Sequence, residues 1–126
     1  MTALSVMIVD DSLIMAQKLK LMLTELGHQV VRICKDGPEA ICDYPQVKPD
    51  LVTMDITMPG MDGIEAMQAI LADHRSARFI MVTSHGQEAM VVRAIDAGAR
   101  GYVLKPVTKD KLAAMLHRAM AATGKR

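Results

Sequence analysis

Short apolar runs alternate with longer stretches of helical periodicity along the whole chain. Leu4–Val9 (LSVMIV), Val30–Cys34 (VVRIC), the Leu51–Met54 run inside Asp50–Asp55 (DLVTMD), Phe79–Val82 (FIMV) and Gly101–Leu104 (GYVL) are too short for helices. They are apolar nearly throughout, so they read as strands buried on both faces. Between and after them, apolar residues recur every three or four positions. Ile14, Leu19, Met22, Leu23 and Leu26 do so after Ser12, which suits an N-cap, and before Gly27, which suits a stop. Ile64, Met67, Ile70 and Leu71 do so between Gly63 and Asp73. Leu112, Met115, Leu116, Ala119 and Met120 do so between Asp110 and Ala122, ahead of a polar tail expected to fray, Thr123–Arg126. Two further helices are expected: Pro38–Tyr44, closed by Pro45, and Gln87–Ala97, stopped by Gly98.

Five strand-then-helix units in unbroken succession predict an α/β fold. The sheet is parallel, with helices on both faces and right-handed crossovers. No repeat, low-complexity tract or linker interrupts the pattern, and 126 residues is an ordinary length for one domain. A single domain over residues 1–126 is therefore expected.

Composition adds mainly exclusions. The net charge of +1 carries no nucleic-acid signature, and Phe79, Tyr44 and Tyr102 with no Trp leave little for base stacking. Twelve methionines suit gap-filling in a core for most of them, with an adaptable partner surface open to the rest. Cys34 and Cys42 have no metal or redox spacing, so reduced structural thiols are expected. No apolar stretch approaches the roughly 20 residues that span a bilayer. Asp10-Asp11 arrive too early for a signal peptide, which points to a cytoplasmic protein without membrane insertion.

The candidate chemistry lies just past the strands. Asp10 and Asp11 follow the first, Asp55 ends the third, Thr83 follows the fourth and Lys105 follows the fifth. In a parallel sheet these ends share one rim, where open α/β sheets place their ligands. Three carboxylates crowded there repel each other unless a cation sits among them, and a few hard oxygen ligands suit Mg²⁺. A lysine and a hydroxyl beside a metal-bound carboxylate are what phosphoryl transfer to that carboxylate requires. Each residue also has an ordinary structural role open to it. Asp55 could cap its loop, Asp10-Asp11 could complement a helix dipole, Thr83 could be a cap, and Lys105 could be a solvated loop lysine. All of them meeting on one rim by accident is far less plausible than any one of those roles alone.

Taken together, VDD at Val9–Asp11, MDITMPGMDG around Asp55, VTS at Val82–Ser84 and KP at Lys105–Pro106 resemble the receiver domains of two-component response regulators. The resemblance covers the whole chain. ITMPGMDGIEAM and HGQEAMVVRAIDAGA are closer still to stand-alone chemotaxis regulators of the non-enteric CheY type. The resemblance implies a flavodoxin-like doubly wound sheet of five parallel strands, ordered 2-1-3-4-5, with five helices. It implies a phosphorylation switch in which Asp55 accepts a phosphoryl group from a sensor histidine kinase of the CheA type, catalysing only its own phosphorylation and dephosphorylation. Asp11, Asp55 and the backbone carbonyl of Thr57 would hold Mg²⁺, with Asp10 acting directly or through water. Lys105 would pair with the phosphoryl oxygens, and its bond to Pro106 would be cis. Thr83 would move toward the phosphoryl group and Tyr102 would turn inward. Those movements would remodel the face of the fourth helix, fifth strand and last helix for a flagellar motor switch protein or another protein target. A phosphatase is a further implied partner, and the protein is expected to be a monomer.

Thr57 stands where the enteric relatives carry Asn, and His85 where they carry Glu. Both positions tune acyl-phosphate hydrolysis in the family, so the departures bear on signal lifetime. The alternative within the same resemblance is a phosphorelay intermediate that hands its phosphoryl group to a histidine phosphotransferase. Rival classes fit less well. A haloacid-dehalogenase phosphatase needs a second Asp where Thr57 stands. A flavodoxin-like electron carrier needs a Gly- and hydroxyl-rich loop where Asp10-Asp11 stand.

Overall fold

The computed structural model describes residues 3–84 and 86–121. The expectations for His85, for Ala122 as a helix end and for a frayed tail at Thr123–Arg126 lie outside the described residues. The elements are β1 (Ser5–Val9), α1 (Leu13–Glu25), β2 (Gln29–Cys34), α2 (Gly37–Val47), β3 (Leu51–Asp55), α3 (Gly63–Asp73), β4 (Phe79–Thr83), α4 (Glu88–Asp96), β5 (Gly101–Leu104) and α5 (Lys109–Ala121). All strand neighbours are parallel, in the order β2-β1-β3-β4-β5. This is the expected doubly wound, flavodoxin-like sheet.

Because side chains alternate along a strand, each central strand feeds two cores. One face carries Met7, Val9, Val52, Met54, Phe79 and Met81 under α2, α3 and α4. The other carries Val6, Ile8, Leu51, Ile80 and Val82 under α1 and α5. β3 and β4 are buried at every position, as their uninterrupted apolar runs require. Met7, Met54, Met58, Met67 and Met81 are all core residues, which places much of the methionine content inside.

Two local expectations are corrected. The second helix does not close before Pro45 but runs through it to Val47. Proline's fixed φ is compatible with a helix, and its missing N–H costs the turn one hydrogen bond. Tyr44 is buried, and its ring lies tilted against His74 at the C-terminal end of α3, with centroids 5.0 Å apart. The helix ends instead at Lys48, whose φ of 46° is left-handed and whose N–H donates to the Tyr44 carbonyl. In α1, Ile14 belongs to the helical spacing but points outward, 70% exposed. Ala16, Leu19 and Leu23 are the residues that α1 buries.

The β3–α3 connection is tightly constrained. Asp62 and Glu65 form a reciprocal capping box, each side chain accepting the other's backbone N–H at 2.9 and 3.0 Å. The Gly63 N–H donates to the Ile56 carbonyl at 2.7 Å, closing the loop onto β3. At Gly63 a Cβ would lie 2.1 Å from the Asp55 carbonyl oxygen, so only glycine allows this approach. Gly63→Ala should therefore push the end of β3 away and destabilise the fold by about 2–4 kcal/mol. Urea unfolding measures this directly; a loss below about 0.5 kcal/mol would mean the loop relaxes freely.

Candidate functional site

The parallel ladder continues one residue beyond several strands and thereby fixes what projects from their ends. The Asp10 N–H donates to the Cys34 carbonyl at 3.0 Å, the Ile56 N–H to Val82 at 3.1 Å and the Lys105 N–H to Thr83 at 2.7 Å. Asp55 pairs with Val82, and Thr83 with Leu104, in register. The rim expected from the sequence therefore exists, and it carries Asp10, Asp11, Asp55, Thr83 and Lys105.

Asp10, Asp11 and Asp55 each bring a carboxylate oxygen to within 4.8 Å of the others. Asp10 and Asp55 are buried, whereas Asp11 is exposed. The Ser12 N–H fixes Asp10 by donating to Oδ1 at 2.8 Å, and the Ser12 hydroxyl caps α1 by accepting from the Met15 N–H. Asp10 Oδ2 is buried without a partner among the described residues. Lys105 Nζ sits 3.4 Å from Asp55 Oδ1. The Lys105–Pro106 bond is cis.

Burial raises the Asp55 pKa to about 6, and the neighbouring charge of Asp10 adds to the effect. Lys105 opposes this without cancelling it. Asp10 is raised as well, first by burial, with the Ser12 N–H and Lys105 pulling the other way. Both shifts come first from burial, which the nearby Lys105 charge opposes without cancelling. A buried, unpartnered carboxylate oxygen beside two more carboxylates is a donor set that fits a small divalent cation. Asp10, Asp11 and Asp55 are the side chains that could hold it.

Thr83 is buried, and its hydroxyl donates to the Gln87 side-chain oxygen at 2.6 Å. Tyr102 on β5 is 43% exposed and lines an open groove of about 340 Å³ with Thr83, Gln87, Val91 and Leu104. Thr57, exposed in the loop after β3, accepts a hydrogen bond on its hydroxyl from the Gln87 amide nitrogen. Sequence reasoning did not single out Gln87. It opens α4, yet glutamine is a poor N-cap and its side chain makes no cap bond. That mismatch was the available signal.

The sequence pattern of the response regulator receiver domain matches residues 6–117. The chain belongs to that family. Chemotaxis protein CheY of Listeria monocytogenes is 42% identical to this receiver over 116 residues, 92% of this chain and 98% of its own. CheY of Thermotoga maritima is 41% identical over 113 residues, 90% of this chain and 94% of its own. Among solved structures, the CheX–CheY–BeF3–Mg²⁺ complex from Borrelia burgdorferi contains a similar chain. Its TM-score is 0.85 at 34% identity, covering 96% of this chain and 90% of that one. Receiver domains are regulatory phosphoacceptors and bind Mg²⁺ at an acidic site. No helix among the described residues is long and apolar enough to cross a membrane.

The raised pKa of Asp55 has a thermodynamic consequence. Its folded value of about 6 lies above the ordinary 3.8, so the folded protein binds this proton more tightly than the unfolded chain. The stability gained from that proton is fully present below about 3.8 and lost as pH rises through about 6. Asp55→Asn removes the ionisation. In metal-free protein it should be more stable than wild type at pH 7, by on the order of 3 kcal/mol at most, with the gap closing between about pH 6 and 4. Thermal unfolding in EDTA across that range checks both sign and window.

Proposed function

We propose that this receiver is a phosphorylation switch in which Asp55 is the phosphoacceptor. The observation that carries the reading is the Asp55 carboxylate at the end of β3, grouped with Asp10 and Asp11 and contacted by Lys105. An Asp55 oxygen attacks the phosphorus of a kinase phosphohistidine. The P–N bond breaks, the imidazole leaves with its electron pair and is protonated, and an acyl phosphate forms on Asp55. Hydrolysis by water returns the carboxylate and releases inorganic phosphate.

Asp10, Asp11, Asp55 and the Thr57 carbonyl would hold Mg²⁺, which when bound neutralises charge developing on the transferred oxygens. Lys105 would move from the carboxylate to a phosphoryl oxygen, an adjustment its long side chain allows. Burial of Asp55 keeps competing water away from the acceptor. The buried neighbours also make its ionised form costly, so each cation that arrives favours the reactive state.

The signal would leave through Thr83. A charge-assisted hydrogen bond from its hydroxyl to the phosphoryl group exists only in the modified state, so it can shift the population. Such a bond contributes about 1.5–3 kcal/mol, a factor of roughly 10 to 150. Movement of Thr83 opens space for Tyr102 to turn inward, altering the face made by α4, β5 and α5. Val92 and Ile95 are exposed apolar residues on α4, suited to meeting a protein target there.

Chemotaxis is the favoured pathway because the CheY relatives match nearly end to end. A CheA-type kinase, a flagellar switch target and a cytoplasmic location follow from that reading. The Borrelia neighbour, captured with CheX, BeF3 and Mg²⁺, supports a protein partner and a metal-assisted phosphoryl site. A phosphorelay intermediate would use the same rim. Binding to a flagellar switch protein rather than to a histidine phosphotransferase separates the two.

Acetyl phosphate with Mg²⁺ should add the mass of one phosphoryl group to wild type and none to Asp55→Asn. Equal labelling of that variant would remove Asp55 from the role. Asp11→Ala should weaken Mg²⁺ binding and labelling together while leaving the fold intact or slightly more stable, since one repulsive charge is gone. Thr83→Ala should still be labelled, yet show much smaller NMR shifts in α4 and β5 on adding beryllofluoride with Mg²⁺. Full shifts in that variant would exclude Thr83 as the relay.

A further inference from the structure

The side chain of Gln87 holds three groups at once. Its amide oxygen accepts from the Thr83 hydroxyl at 2.6 Å and from the Ser84 N–H at 2.8 Å. Its amide nitrogen donates to the Thr57 hydroxyl. These bonds join the loop after β3 to the end of β4 across the rim. They also involve the residue at which α4 begins. Gly86, at φ of +90°, supplies the turn immediately before it, a conformation most side chains disfavour.

An ordinary helix cap would aim this side chain at the free N–H groups of α4. Gln87 makes no such bond and reaches back toward the rim instead. A hydroxyl has only one proton to donate. While Gln87 receives it, Thr83 cannot offer it to anything attached to Asp55.

We propose that Gln87 is a positioning residue that sets the threshold of the switch. It holds Thr83, Thr57 and the start of α4 in the unphosphorylated arrangement, and it must release Thr83 before the receiver responds. The inference rests on the phosphoacceptor role of Asp55. The drive toward the active state is then a difference between acceptors competing for one proton, a charged phosphoryl oxygen against the neutral Gln87 amide oxygen at 2.6 Å, with the Ser84 carbonyl at 3.4 Å a weaker neutral acceptor. Removing the amide oxygen raises the energy of the resting state alone, so a weaker stimulus should suffice. Because the same side chain bonds Thr57, release of Thr83 also frees the loop that carries the residue two after Asp55.

The test is a beryllofluoride titration with Mg²⁺, followed by NMR signals of α4 and β5. Gln87→Met, close in shape but with neither amide group, should lower the half-maximal concentration roughly 2- to 12-fold for the lost Thr83 bond, with loss of the Thr57 bond acting in the same direction. Gln87→Ala, a second variant in case the first repacks, should act in the same direction. Gln87→Glu keeps an acceptor for Thr83 and Ser84, so it should respond at the wild-type concentration or higher. In a Thr83→Ala background, where α4 and β5 shift little and the midpoint is read from amide signals at the end of β3 beside Asp55, Gln87→Met should have a clearly smaller effect, since only the Thr57 and Ser84 bonds remain to be lost. A merely structural Gln87 would show the same effect with or without the Thr83 hydroxyl, and Glu would not restore the threshold. Either of those results, or an unchanged midpoint in Gln87→Met, overturns the proposal. If wild type itself fails to respond, the phosphoacceptor reading falls and takes this inference with it.

Discussion

Three carboxylates held within 4.8 Å of one another, two of them buried, are what the rest of this receiver must sustain. Left to themselves they would separate into water. The two buried ones stay because neither controls its own position. Asp10 is fixed by the Ser12 N–H and by the ladder bond to Cys34, and Asp55 sits inside a strand buried at all five positions. The loop beyond Asp55 is closed by Gly63 and locked by the Asp62–Glu65 box. Two apolar cores, one on each face of the sheet, supply the stability that offsets this local repulsion. The unfavourable site and the well-packed fold are two sides of one arrangement.

The packing is uneven, and that decides where a change at the rim can travel. α3 buries Ile64, Met67 and Ile70 in the core beside Gly63 and Ala66, which makes it a poor candidate for movement. α4 fully buries only Ala94, with Met90 and Val91 partly packed. An element held by so few buried contacts opens or shifts at lower free energy than its neighbours. α4 also begins at Gln87, directly beside Thr83. A small alteration at the end of β4 therefore meets the least anchored helix first, and Tyr102, half exposed on the adjoining strand, lies in the same groove.

The sheet and the rim were legible because they depend on features that a sequence states directly. Fully apolar runs announce buried parallel strands, and a parallel sheet must place all its strand ends on one edge, so Asp10, Asp55, Thr83 and Lys105 could be grouped in advance. Features set by tertiary contact were less legible. Proline normally argues against helix, but buried Tyr44 carries α2 past Pro45. Ile14 follows the apolar periodicity of α1, yet this helix is narrow in its contact and buries Leu19 and Leu23 instead. Gln87 was missed because an amide side chain announces no chemistry by its type. Its importance comes from three partners that only the folded chain brings together.

The charge balance at the rim argues that cation and phosphoryl group must work as a pair. With all three carboxylates ionised and Lys105 beside them, the cluster carries a formal charge of −2. Phosphorylation of Asp55 would replace one negative charge with about −1.5 to −2, leaving the rim more negative than before. Lys105 alone cannot compensate in either state. A bound dication brings the unmodified rim close to neutral and leaves the phosphorylated rim at about −1. On the proposed reading, that residual charge is what Thr83 would respond to, because a hydroxyl proton is drawn to an anionic oxygen more strongly than to an amide oxygen. On this reasoning a metal held by Asp10, Asp11 and Asp55 would do more than assist transfer. These three carboxylates would hold a cation that lowers the background charge, so that the increment added by phosphorylation would stand out at Thr83.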